Sequence, residues 1–102
     1  MKIITANDKV TTTGLCQQML HALLQASYIW ERWEMTTLKI NRAVDTSPRA
    51  TGPHGRGEAL DLDTTNAPDD FSMRDELAEN LGDDYDVRIE RNQIHIEWLP
   101  VL

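Results

Sequence analysis

The stretch His54-Gly55-Arg56-Gly57-Glu58-Ala59-Leu60-Asp61-Leu62-Asp63 changes character halfway along. Its first half is turn chemistry, with two glycines free of Cβ constraints. Its second half alternates, so Leu60 and Leu62 point to one side of a strand while Ala59, Asp61 and Asp63 point to the other. This reads as a half-buried strand with Asp61 on its polar face and Ala59 leaving room beside it. Gly55 and Gly57 make the turn flexible enough for His54 to fold back over that face. A histidine and an aspartate meeting this way are two ligands for a divalent metal, and zinc suits a mixed nitrogen and oxygen set.

Downstream, residues 85–98 read as a second pair of alternating strands. Tyr85, Val87 and Ile89 form one apolar face, and Ile94, Ile96 and Trp98 form another. A tight turn at Arg91-Asn92 pairs Ile89 with Ile94 and Val87 with Ile96, with Asn92 tolerating the left-handed backbone of such a turn. The opposite face then carries Asp86, Arg88, Glu90, Gln93, His95 and Glu97. Placed beside the first strand, His95 approaches His54 and Asp61. Three protein ligands with a fourth position open is the arrangement of catalytic zinc.

Upstream, Leu15, Met19, Leu23, Ala26, Trp30 and Trp33 recur at helical spacing, and Cys16, Leu20 and Leu24 widen the stripe. This predicts a helix over 13–33 with Thr13 as its N-cap. His21 falls on its polar side. Residues 1–12 form either a brief strand or a loose arm. Leu38-Lys39-Ile40-Asn41 reads as a strand, and 42–53 as a loop of about twelve residues, long enough to be functional. Asn66-Ala67-Pro68 opens a second helix, in which Asp69, Asp70 and Asp75 complement the positive end of the dipole. Phe71, Leu77, Ala78 and Leu81 supply its buried face, and Gly82 stops it. The sum is an α+β fold, a small antiparallel sheet with a long N-terminal helix and a second helix packed on one face.

Composition bounds the function. A chain of 102 residues supports a single domain with one modest core. Its net charge of −7 argues against grip on a nucleic-acid backbone, and no stretch reaches the roughly 20 apolar residues of a membrane span. Cys16 stands alone, which excludes an internal disulfide framework and fits synthesis in a reducing compartment. The N-terminus lacks the apolar core of a signal peptide.

The pattern H-x-x-G-x-A-x-D from His54 to Asp61 resembles the signature of the zinc D-Ala-D-Ala carboxypeptidases and L-alanyl-D-glutamate endopeptidases, whose fold is shared by the Hedgehog signalling domain. The His95-Ile96-Glu97 run is similar to the family's terminal histidine segment, so the resemblance spans roughly residues 38–98. It implies zinc held by His54, Asp61 and His95, and an arginine before the first histidine that grips a substrate carboxylate, for which Arg42 and Arg49 are the candidates. Many members place an acid three residues before the last histidine; here that residue is Asn92, which cannot act as a base. Glu90, five residues before His95 as in short phage-type members, is the first replacement, and Glu97 the second or an orienting partner of a ligand. Gly52 stands where the family usually has a serine.

The resemblance implies a zinc metallopeptidase acting on peptidoglycan stem peptides, carried to the wall in a phage virion or by lysis. The alternative is a non-catalytic metal-binding module of the same fold, serving as a phage structural or host-interaction protein. A third reading dispenses with metal and leaves His54 and Asp61 as ordinary polar residues.

Overall fold

The computed structural model describes residues 1–100. In chain order the elements are β1 (Lys2–Thr5), α1 (Gln17–Arg32), β2 (Thr37–Arg42), β3 (Ala59–Asp63), α2 (Asp70–Leu81), β4 (Tyr85–Glu90) and β5 (Gln93–Trp98). The strands form one sheet in the order β1-β2-β3-β5-β4. Its last four strands are antiparallel neighbours, but β1 lies parallel to β2, so the sheet is mixed rather than antiparallel. The reason is the connection: a parallel neighbour requires a crossover, and α1 supplies it. Residues 2–5 are thus a strand, and Ala6 continues the pairing by donating to Ile40 O at 2.9 Å.

Both helices pack on one face of the sheet. Met19, Ala22, Ala26, Ile29 and Trp30 of α1, with Met73 and Leu77 of α2, share a buried cluster with Leu38, Ile40, Leu60, Leu62, Val87, Ile94 and Ile96. The β4–β5 hairpin has the expected register, Ile89 opposite Ile94 and Val87 opposite Ile96, and Asn92 takes the turn's left-handed conformation with φ 61°. No helix is long and apolar enough to cross a membrane among the described residues.

Three local expectations are corrected. Helix α1 begins at Gln17, with Cys16 rather than Thr13 in the capping position. The backbone before it is held elsewhere: Gly14 has φ 95°, and Cys16 N donates to Gly57 O at 2.9 Å. The buried stripe of α1 runs through Ala22 and Ile29, leaving Leu20 and Leu24 about half exposed on the neighbouring face. In α2, Phe71 is 63% exposed and Met73 takes its place in the core, because Met73 and Leu77 are one turn apart and Phe71 projects to another side.

Helix α2 starts at Asp70, later than Asn66, with Asp69 as its cap. The Asp69 carboxylate accepts from Ser72 N at 3.0 Å and from Ser72 Oγ at 2.7 Å. Gly82 closes the helix with φ 83°, its N–H donating to Ala78 O.

Two outcomes follow from α2. In chemical denaturation, Met73→Ala costs about 2–5 kcal/mol as a buried truncation, whereas Phe71→Ala stays within about 0.5 kcal/mol as an exposed one. The bonds from Ser72 lower the Asp69 pKa below its ordinary 3.8, so the cap's stabilisation is complete above that value and disappears as pH falls through the lowered one. Melting curves of wild type and Asp69→Ala should therefore differ at neutral pH and converge in strong acid.

Candidate metal centre

The face of the sheet turned away from the helices carries the polar residues. In the β3–β5 pair Asp61 stands directly opposite His95, and directly opposed residues share a face. Strand β3 is more buried than expected, with Ala59, Leu60, Asp61 and Leu62 all inaccessible. It lies between β2 and β5 with the helices on one face, and His54 from the preceding segment lies against Asp61 on the other.

That segment is tightly folded on itself and against Asp45. Asp45 N donates to His54 O at 3.0 Å, Gly57 N to the same oxygen at 3.2 Å, and Glu58 N to Pro53 O at 2.9 Å. The two glycines provide close approach more than flexibility. A Cβ on Gly57, where φ is 69°, would collide with the Gly14 carbonyl, and one on Gly55 would stand 2.8 Å from Ala50 Cβ. The loop preceding β3 and the turn into α1 are therefore packed backbone to backbone.

His54, Asp61 and His95 meet at 6%, 5% and 6% exposure. One ligand atom from each lies within 4.8 Å of the others. His54 Nδ1 donates to Ala43 O at 2.6 Å, which leaves its Nε2 with the lone pair. That nitrogen is buried, forms no hydrogen bond, and stands 3.3 Å from Asp61 Oδ2. A ring nitrogen set against a carboxylate oxygen needs positive charge between them, either a proton on Nε2 or a metal ion. His95 Nδ1 lies 2.6 Å from Asp61 Oδ1, so the two imidazoles face the two oxygens of one carboxylate. The donor set suits a divalent transition metal. These residues form a buried group that could hold a metal ion.

The electrostatics agree. Burial alone would raise the Asp61 pKa, but the two imidazoles beside it outweigh burial and hold the carboxyl below the usual range, ionised as a ligand must be. The hydrogen bond with Asp61 raises the His95 pKa against the opposing effect of burial, and Glu97 adds to the rise.

Around the cluster the predicted residues separate. Glu97 Oε1 is 3.1 Å from His95 Nε2, the outer nitrogen of that ring. Glu90, paired across the hairpin with Gln93, is diagonal to His95 on the same face. Its side chain accepts from Gln93 Nε2 at 2.7 Å. A register shift in β2 brings Arg42 opposite Asp61, where its guanidinium lies 3.4 Å from Asp45. Arg42 also lines a cleft of about 340 Å³ with Lys9, Asn41 and Asp45. Arg49 is exposed in the preceding loop and makes no side-chain hydrogen bond or ion pair among the described residues, so the structure does not draw it to the cluster.

Two neighbours escaped the sequence reading as site residues. Arg88 stands opposite His95, with Nη2 3.9 Å from Glu97 Oε1 and Nε 3.1 Å from Asp86. Asn41 donates to both Asp63 and Gln93. The alternation that placed Arg88 on the polar face was its signal; Asn41 had none, because its strand pairing is not written locally. Comparison of the chain with known protein families, curated proteins and solved structures finds no match.

The metal reading is checked by elemental analysis after loading and dialysis. Wild type should retain close to one divalent metal ion per chain, His54→Ala and His95→Ala should retain almost none, and exposed His21→Ala should behave as wild type. Metal at about 100 times its Kd should stabilise wild type by about 2.7 kcal/mol.

Proposed function

We propose that the protein is a zinc-dependent peptidase that cleaves peptidoglycan stem peptides, at a D,D-carboxypeptidase or L-Ala-D-Glu endopeptidase bond, on a Hedgehog/DD-peptidase-like fold. The observation that carries this reading is the buried His54–Asp61–His95 group, with the unpartnered Nε2 of His54 aimed at Asp61 and an acid, Glu90, on the same sheet face. The likeness of H-x-x-G-x-A-x-D to the peptidase signature supports the substrate class.

Zinc, when bound there, supplies a Lewis acid that makes water nucleophilic near neutral pH and polarises the scissile carbonyl. The protein's own residues divide the remaining work. His54 keeps Nε2 free by donating Nδ1–H to Ala43 O, which fixes both tautomer and ring direction. Glu97 plays the same part for His95 from Nε2, and that engagement leaves Glu90 as the base. Glu90 takes a proton from the attacking water and delivers it to the leaving amine as the carbon–nitrogen bond breaks and the carbon–oxygen bond forms. Arg42, opposite Asp61 and beside the cleft, is better placed than Arg49 to hold a substrate carboxylate. Delivery in a phage virion or at lysis suits such an enzyme.

One observation favours a second reading, a non-catalytic metal-binding module acting as a phage structural or host-interaction protein. Asn92, at the position where many peptidases of this type carry their acid, is a turn residue here, with φ 61° and its carbonyl accepting from Thr64 N at 2.9 Å. Incubation of the zinc-loaded protein with purified peptidoglycan separates the two. The peptidase reading predicts new amino termini or released D-alanine. It also predicts that Glu90→Gln keeps its zinc and loses roughly 10²–10⁴-fold in rate. Full zinc occupancy without any cleavage would sink the peptidase and leave the module.

A further inference from the structure

Across the polar face, one row beyond the metal cluster, four side chains from four strands join in a line. Asp63 of β3 stands opposite Gln93 of β5, and Gln93 opposite Glu90 of β4. Asn41 of β2 closes the row at its far end, with Nδ2 3.3 Å from Asp63 Oδ1 and 3.2 Å from Gln93 Oε1.

The chemistry of the groups gives this row a direction. Asp63 is an acceptor, already engaged by Thr65 Oγ1 at 3.0 Å and near Lys39 Nζ at 3.8 Å. Asn41 must therefore turn its amino group inward, and its second hydrogen meets Gln93 Oε1. With its carbonyl committed to Asn41, Gln93 presents its own amino group to the other side. There it donates to Glu90 Oε1 at 2.7 Å, the shortest bond of the row. Reversing the Gln93 amide would set carbonyl against carboxylate and amino group against amino group, so the orientation is unique.

We infer that Gln93, anchored by Asn41, is a positioning residue that holds one oxygen of Glu90 and leaves the other free for proton transfer; this rests on the peptidase reading of the site. Glu90 ends β4 next to the hairpin turn, where a long side chain has many rotamers to choose from. Diagonal neighbours on adjacent antiparallel strands are about 7–8 Å apart, within reach of a glutamate only in the right rotamer. Among the described residues Glu90 makes one side-chain hydrogen bond, and it is the one from Gln93. The clamp selects the rotamer; it touches neither metal nor substrate.

The test uses the zinc-loaded full chain and a soluble wall muropeptide. Gln93→Glu preserves size and replaces the donor with an acceptor; Gln93→Leu removes hydrogen bonding altogether. Each should lower kcat on the order of 10-fold, the scale of a small misplacement of a catalytic group, with KM and zinc content unchanged. In a Glu90→Gln background neither should cause a further loss, because the group being positioned has gone. Independently of turnover, the Gln93 side-chain amide resonances of the metal-free protein should move on Glu90→Gln and on Asn41→Ala. Wild-type kcat in both Gln93 variants, or amide signals indifferent to Glu90→Gln, would overturn the clamp. A wild-type protein that cleaves no muropeptide overturns the peptidase reading and takes the clamp with it, whereas an active one with unaffected Gln93 variants removes the clamp alone.

Discussion

The contact between Asp61 and His95 is the constraint on which the rest of the structure turns. It joins the two central strands at opposed positions, 2.6 Å apart, on a face from which water is almost excluded. A carboxylate so enclosed is expensive unless its lone pairs are answered. His95 answers one oxygen, and the other faces Nε2 of His54 across 3.3 Å. The arrangement is thus incomplete without one positive charge there, a proton on Nε2 or a metal ion. A metal ion held by His54, Asp61 and His95 would supply that charge and bind the carboxylate at the same time.

This incompleteness is sustained by apolar packing on the other side of the sheet. Leu60 and Leu62 flank Asp61 and point into the core beneath α1 and α2, as Ile94 and Ile96 do on either side of His95. A one-residue slip between β3 and β5 would bury Asp61 among leucines and expose those leucines to the polar face. The register that makes the core therefore also makes the cluster. Every kilocalorie that favours the correct hydrophobic pairing favours the juxtaposition of ligands as well.

The placement of His54 has a different origin. His54 arrives by a loop whose backbone packs against the turn preceding α1, with Cys16 N bonded to Gly57 O. No side chain fits between Gly57 and the Gly14 carbonyl. The start of the long helix and the position of the first histidine are consequently one structural fact. This explains why the helix begins at Gln17, several residues later than its apolar pattern suggests. The 14–16 segment is held by the site loop in a conformation no helix could accommodate.

What the chain decided by itself was everything with a short period. Alternation in 59–63 and 85–98 determined the strands, the hairpin turn at Arg91-Asn92, and which side each residue faces, because side-chain direction in a strand depends only on parity. The shared polar face of Asp61, Glu90, His95 and Glu97 was legible for that reason, whereas His54 was placed by the glycine turn before the strand. Tertiary structure decided what depends on neighbours distant in sequence. The parallel seat of β1 follows from the path of α1, and the exclusion of Leu20, Leu24 and Phe71 from the core follows from which stripe of each helix meets the sheet. The position of Arg42 opposite Asp61 came from a register shift between β2 and β3. The row from Asn41 to Glu90 draws one side chain from each of four strands, and its members become neighbours only when the sheet is assembled. Local pattern sets the direction of a side chain, but only packing sets the company it keeps.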